Sequence, residues 1–303
     1  MSNVLTNMTT QLYLDTAMKG FADYFVPINL FSLDASPAPS ARGQSIVVPF
    51  VVSGSTAANW AAATGYASQD NTREGLEVTL NKHKYVYAGL NDTEVADSSI
   101  TSLEQVAYNQ GASLAAAVWT DIATVFTSSN FTNGTTLASS SLVTVDTLID
   151  LREAISGLKW PEIGRNVIMK SKPFKFLLKD DDLKYIYRGN DKAVTSAQIT
   201  NVFGWQGVFE NNLLPTLDAG VTLAHVAVNP DAVIIANRYL APQAGHKYSF
   251  VGQSTHAPSG LTLGAREWYD ENYGKKQTIL ECSYGYRVGN PSAAYLTRVT
   301  SNT

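Results

Sequence analysis

The chain has 303 residues, 45% of them hydrophobic, which is enough to bury a large core in one to three domains and too apolar for a disordered polymer. Only 16% are charged, the formal charge is −4, and the densest basic run is Lys170-Ser-Lys172-Pro-Phe-Lys175. Holding nucleic-acid phosphates needs several cations on one face, so the balance argues against a reader of DNA sequence and is compatible with a container that encloses DNA without gripping it.

The remainder is filled by 15 Tyr, 21 Gly and many Ser, Thr, Asn and Ala, a surface poor in charge and rich in short polar groups. That fits a β-rich extracellular protein and a subunit covered by its neighbours equally well. Cys282 is the single cysteine, which excludes an intrachain disulfide and a multi-thiol metal site and predicts a small buried hydrophobe in a strand. The first residues lack the apolar block of a secretory signal, and no stretch is apolar over the roughly 18 residues of a membrane span. Asn-x-Ser/Thr matches at Asn7, Asn91, Asn130 and Asn133 follow from abundant Asn and Thr.

In chain order, Leu12, Leu14, Met18 and Phe21 give a modest helical pattern, followed by Tyr24-Phe25-Val26-Pro27 and the extended Ser36-Pro-Ala-Pro-Ser40. Residues 1–38 read as an arm, with a loose terminus carrying one docked helix as the alternative. Ser45 to Val52 is β-branched and aromatic, and Leu76-Glu-Val-Thr-Leu80 alternates strictly before Lys82-His-Lys-Tyr-Val-Tyr87. Between these strands lie more than twenty residues rich in Gly, Ala, Ser and Thr, with Trp60 and Tyr66 embedded. Strands of about ten residues project such a tip roughly 30 Å, and a lone hairpin of that reach is marginal in water without a partner surface.

Thr101-Ser-Leu-Glu104 has the form of a capping box. Leu103, Val106, Ala107, Leu114, Val118, Ile122 and Val125 then share one stripe, predicting a helix over 101–127 that Gly111 weakens in the middle. A second helix is predicted from Thr144 with Val145, Leu148, Ile149 and Ile155, ending at a glycine cap, Gly157. Asn166-Val-Ile-Met169 reads as a strand and Pro173-Phe-Lys-Phe-Leu-Leu178 as a short helix. Val202 to Phe209 reads as a strand with glycine bends, and Ala224-His-Val-Ala-Val228 as a buried strand. Pro230-Asp231 predicts a helix start running through Ala236, because proline is tolerated in a first turn and an acid suits the N-terminus. The last 45 residues read as strands separated by turns at Asn272-Tyr-Gly274 and Gly289-Asn-Pro291.

Signals for chemistry are poor. Gly157 and Gly164 are too far apart for a phosphate loop, and Arg165 stands where lysine is needed. In Gly252-Gln-Ser254-Thr-His256 a histidine replaces the second glycine of a serine elbow. His83, His225, His246 and His256 lack ligand spacing, and His225 reads as a satisfied core histidine. Asp180-Asp-Asp182 lacks the alternating ligands of a calcium loop and reads as a solvated helix start. The residues nominate no catalytic, cofactor-binding or metal site, and no cofactor or enzyme activity is expected.

Certain phrases in order carry a resemblance. They are Val145-Asp-Thr-Leu-Ile-Asp-Leu-Arg152, Asn166-Val-Ile-Met169, Pro173-Phe-Lys-Phe-Leu-Leu178, Gly204-Trp-Gln-Gly-Val-Phe209, Asn229-Pro-Asp-Ala-Val-Ile-Ile-Ala236 and Tyr284-Gly-Tyr-Arg-Val288. Together with Val221 to Pro242, Gly260 to Asp270 and Lys276 to Gly289 they resemble the major capsid proteins of tailed bacteriophages, the Hong Kong 97-type fold. The resemblance implies an α+β chain with an N-terminal arm (1–38), an extended β-hairpin loop (39–95) and a peripheral domain with its spine helix (96–141). It further implies a mixed α/β axial domain (142–258), peripheral return strands (259–285) and a C-terminal strand closing on the axial domain (286–303).

It also implies a coat protein that assembles with itself as hexamers and pentamers around double-stranded DNA, in a virion, after synthesis in the host cytoplasm. Expected partners are a separate scaffolding protein, a portal and a decoration protein, with no membrane and no sequence-specific contact to the packaged DNA. Some relatives weld neighbours through a lysine on the extended loop. Lys82 and Lys84 lie on the returning strand, so that chemistry is not carried over. Two alternatives stand beside this one: an encapsulin-like compartment shell, and a β-rich glycan-binding or hydrolytic protein.

Overall fold

The computed structural model describes residues 3–24, 30–35, 45–53, 60, 72–91, 93, 100–183, 199–215, 220–241, 245, 247–257 and 259–301. The runs 25–27 and 36–40, most of the connection at 54–71, and His246 lie outside the described residues.

Two six-stranded sheets organise the chain. The first contains β1 (Ser32–Asp34), β4 (Lys82–Asn91), β10 (Val233–Asn237), β11 (Phe250–Thr255), β12 (Thr262–Asp270) and β13 (Lys275–Val288). Its order β1-β10-β13-β12-β11 branches at β13, the longest strand. Tyr284 is paired with both Lys82 and Asn237, which places β4 and β10 on opposite edges of β13. β12 shares the edge of β10, because Glu281 is paired with both Gly264 and Tyr85.

Across this sheet lies α2 (Ile100–Ala123), burying Ala107, Leu114, Val118, Trp119 and Ile122. The helix begins at Ile100, and the side chains of 101–103, on which the expected capping box falls, lie outside the described residues. It ends four residues short of the expected 127. The amides of Thr124, Val125 and Phe126 reach carbonyls only three residues back, which tightens the last turn. The seam between helix and sheet is polar at one point: Tyr284, fully buried, donates to the Asp121 carboxylate at 2.8 Å, and the Tyr286 hydroxyl donates to the Asp121 carbonyl at 2.8 Å.

The first helix, α1 (Asn3–Tyr24), is docked on the body, in line with the alternative reading of the first residues. Leu14, Ala17 and Phe21, spaced by three and four, are fully buried at home against α2 and the sheet. Glycine permits that approach. A Cβ at Gly111 would lie 1.8 Å from the Ala17 carbonyl oxygen, and one at Gly20 would lie 2.2 Å from that of Tyr108. Gly111 therefore gives up helix propensity for a backbone contact that any side chain would prevent.

The second sheet, in order β5-β14-β9-β6-β8-β7, uses β5 (Gly134–Ser139), β6 (Asn166–Met169), β7 (Ile199–Val202), β8 (Trp205–Glu210), β9 (Thr222–Val228) and β14 (Ala294–Ser301). Helices α3 (Val145–Gly157) and α4 (Ser171–Lys179) belong to the core of one face, where Leu148, Leu151, Ile155, Phe174 and Leu177 pack with Val167, Met169 and Ala227. Ile168, Val226 and Val228 point the other way into the larger core.

Three expectations are corrected. Val233–Asn237 is strand β10, not a helix: Pro230 sits in a turn closed by the Ala232 amide on the Asn229 carbonyl, and the run Val-Ile-Ile is buried throughout between β1 and β13. Gly157 does not cap α3, since it is the last helical residue and the left-handed position belongs to Lys159, φ 58°. The single strand expected at 202–209 is the hairpin β7–β8, turned at Phe203 and Gly204 with φ of 50° and 79°.

The projecting hairpin consists of β2 (Ser45–Ser53) and β3 (Thr72–Thr79), a two-stranded sheet of its own. β4, expected within the extended loop, is instead paired with β13 along ten residues.

Candidate assembly surface

The residues with chemical potential are spent on structure. His225 is wholly buried on β9 opposite Met169 and Thr297, and burial lowers its imidazole to about 4. It is not the satisfied core histidine expected, since both ring nitrogens and the Thr297 hydroxyl are without hydrogen-bond partners among the described residues. His256 is buried in a turn, with Nδ1 2.7 Å from the Ser259 hydroxyl and its ring edge-on to Phe21 of α1 at 5.9 Å. Its pKa is lowered by burial, and Ser259 is equally covered. His83 meets Glu281 at 3.1 Å, and Glu281 also pairs with Arg266 at 2.6 Å.

Asp180 caps α3 across space: its carboxylate accepts from the Val145 amide at 2.8 Å and from the Asp182 amide at 3.0 Å. Cys282 is buried on β13, its thiol pushed up to about 12 by burial and then by Glu281. Lys170, the first member of the basic run, is buried with its pKa lowered by desolvation, so that run is not one solvated cationic face. Among the described residues no three His, Cys, Asp or Glu side chains gather as metal ligands, and no described helix is long and apolar enough to cross a membrane.

Among the described residues, exposed apolar groups include those at the following places. On β4, Tyr85 and Tyr87 alternate outward on the face of the sheet away from α2, with Tyr85 64% exposed. At the β12–β13 turn, Tyr269 and Tyr273 are exposed. Between α3 and β6, Ile163 is 89% exposed on a loop built around a buried cation. Arg165 donates to the carbonyls of Pro161 and Trp160 and to the Ser156 hydroxyl, while the Trp160 indole donates to the Ser292 carbonyl. A loop with its ends fixed presents its apolar tip without an entropy cost at docking. The sequence offered no sign of this, because Arg165 reads as a failed phosphate loop until its carbonyl partners are seen. The β4 tyrosines are visible as an alternation, but which face is outward depends on the partner strand.

The hairpin is a further such place. Its base packs at home, with Ile46 and Val78 buried against Ala35, Ile234 and Ala236, while Val47 on the other face is 62% exposed. Most of the connection between its strands lies outside the described residues.

No family model matches the chain, and no curated protein matches it. Solved structures do. A structure from Mycobacterium phage Che8 matches with a TM-score of 0.60 at 17% identity over 90% of both chains. The capsid of cyanophage P-SCSP1u matches with a TM-score of 0.65 at 13% identity, over 92% of this chain and 89% of that one. The mature capsid of bacteriophage PhiM1 gives 0.59 at 11% identity, over 92% and 88%. The chain has the fold of a tailed-phage major capsid protein. The capsid fold spans both sheets, and the α+β layout expected of the Hong Kong 97-type is the one observed.

Proposed function

We propose that this chain is a major capsid protein that assembles with itself into hexamers and pentamers of an icosahedral head around double-stranded DNA. The observation that carries it is the capsid fold combined with a two-stranded hairpin whose described contacts with the body lie at its base. A free two-stranded sheet is marginal in water, so its outer part gains stability by lying on a neighbouring subunit. The hairpin then acts as the lever between subunits, α2 stiffens each tile, and the Ile163 loop of the second sheet approaches the local symmetry axes. A separate scaffolding protein, a portal and a decoration protein complete the particle, which is built in the host cytoplasm. The net charge of −4 suits a shell that encloses DNA without sequence-specific contact.

Deleting residues 54–71 spares both strands of the hairpin and removes its reach. The expected variant has unchanged circular dichroism and sediments as subunits or capsomers, without shells. Regular full-sized shells from that variant would refute the proposal.

A further inference from the structure

Gly285 lies mid-strand in β13 and is not one of the left-handed glycines. Conformational freedom therefore does not explain it. Space does: a Cβ there would lie 2.1 Å from the Thr79 carbonyl oxygen, 2.8 Å from the Thr79 carbonyl carbon and 3.2 Å from Leu80 Cα. All three atoms are main chain at the end of the hairpin, so no rotamer change relieves the contact.

The opposing residue across the ladder is Ala236, also small and fully buried. Tyr284 and Tyr286 reach Asp121 of α2, so Gly285 and Arg287 face the opposite side of the sheet. On that side Ile46 and Val78 rest on Ile234 and Ala236, and the Arg287 guanidinium donates to the Glu77 carbonyl at 3.1 Å. The Asn81 amide closes on the Thr79 carbonyl before β4 begins. The chain is thus pinned from 77 to 81 at the point where the hairpin departs.

We propose that Gly285 and Ala236 form a notch that sets the direction in which the hairpin leaves the subunit, making Gly285 a positioning residue for assembly. This rests on the hairpin being the lever between subunits. Normal carbon–oxygen separation at the notch demands a displacement of about 1 Å. Pivoting on contacts two residues along the strand, that displacement moves the far end of nine-residue β2, about 30 Å away, by roughly 5 Å. Close-packed interfaces do not absorb an error of that size.

Distances are read in the full-length chain with spin labels at Trp60→Cys and Tyr273→Cys, and shell yield in the unlabelled chain; Cys282 is buried and stays unlabelled. Gly285→Ala is expected to keep its circular dichroism, shift the interlabel distance by several ångströms and lower the yield of shells by about tenfold or more. Arg287→Gln, which adds no bulk and removes the strut to Glu77, is expected to broaden the same distance distribution. Should Gly285→Ala fail to fold, Ala236→Gly, which removes the other wall of the notch, is expected to broaden the same distance distribution and carries the test. A distance distribution identical to that of the parent in the folded variants overturns the notch. Normal shells from the 54–71 deletion would instead remove the lever reading while leaving a shifted distance in place, so the two failures are distinguishable.

Discussion

Helix α1 and the β2–β3 hairpin both look, in sequence, like extensions with apolar residues and no home to bury them in. They are bound in opposite ways. From Gln11 to Tyr24, α1 lies along the body, with Leu14, Ala17 and Phe21 fully covered and Gly20 and Gly111 allowing backbones to touch. Among the described residues, the hairpin meets the body at its base through Ile46 and Val78, with Val47 left outward. The difference is one of area: a helix can lay a whole stripe on a neighbour, whereas a two-stranded ribbon that leaves a sheet at an angle can bury only the residues nearest the exit. An extension already docked contributes to the stability of the subunit, and one with apolar residues left outward keeps them available to a partner surface.

Mutations can break that division. The largest effect on the isolated subunit is expected at Phe21: Phe21→Ala should cost about 3–5 kcal/mol in urea unfolding, because the ring is fully buried against His256 and the α2 core. If α1 were a detachable arm, the same substitution would leave unfolding unchanged.

Acid sharpens the contrast next. The His225 imidazole is held at about 4 in the folded chain, below its ordinary 6.5, so the unfolded state takes up the proton first. Stability is therefore full above about pH 6.5 and falls as the pH drops toward 4, by about 3 kcal/mol at the limit. His256, also lowered by burial, works in the same direction at the α1 contact. Unfolding midpoints at pH 7 and pH 4.5 measure the loss, and His225→Met should remove most of it. The base of the hairpin, formed by Ala35, Ile46, Val78, Ile234 and Ala236, contains no titrating side chain and should keep its hydrogen-exchange protection relative to the body. The smallest effect is expected at Leu12→Ala on the solvent side of α1, within about 0.5 kcal/mol in the same assay, since that side chain is 44% exposed.

Element types were largely legible where one period dominated. The stripe of α2, the strand Asn166–Met169 and the short helix at Pro173 follow from spacing, and the capsid-like phrasing named the architecture. Val233–Asn237 was misread because a proline followed by an acid opens turns and helices alike, and the decision between them came from β1 and β13 on either side. The assembly surfaces were less legible. Ile163 looks like any aliphatic residue in a loop until Arg165 is seen bound to three oxygens. Gly285 looks like a flexible point in a strand until Thr79 is seen above it.

Composition and periodicity by themselves pointed to a large chain of helices and strands with one long helix, a long hairpin, no intrachain disulfide and no evident catalytic motif, and the resemblance supplied the α+β architecture. They could do so because helix and strand spacing, and the chemistry of single residues, are local properties. The tertiary structure decided which extension is docked, which tyrosines face outward and why particular glycines stand where they do. Those depend on what main chain arrives from elsewhere in the fold, at distances of a few ångströms that no local pattern encodes.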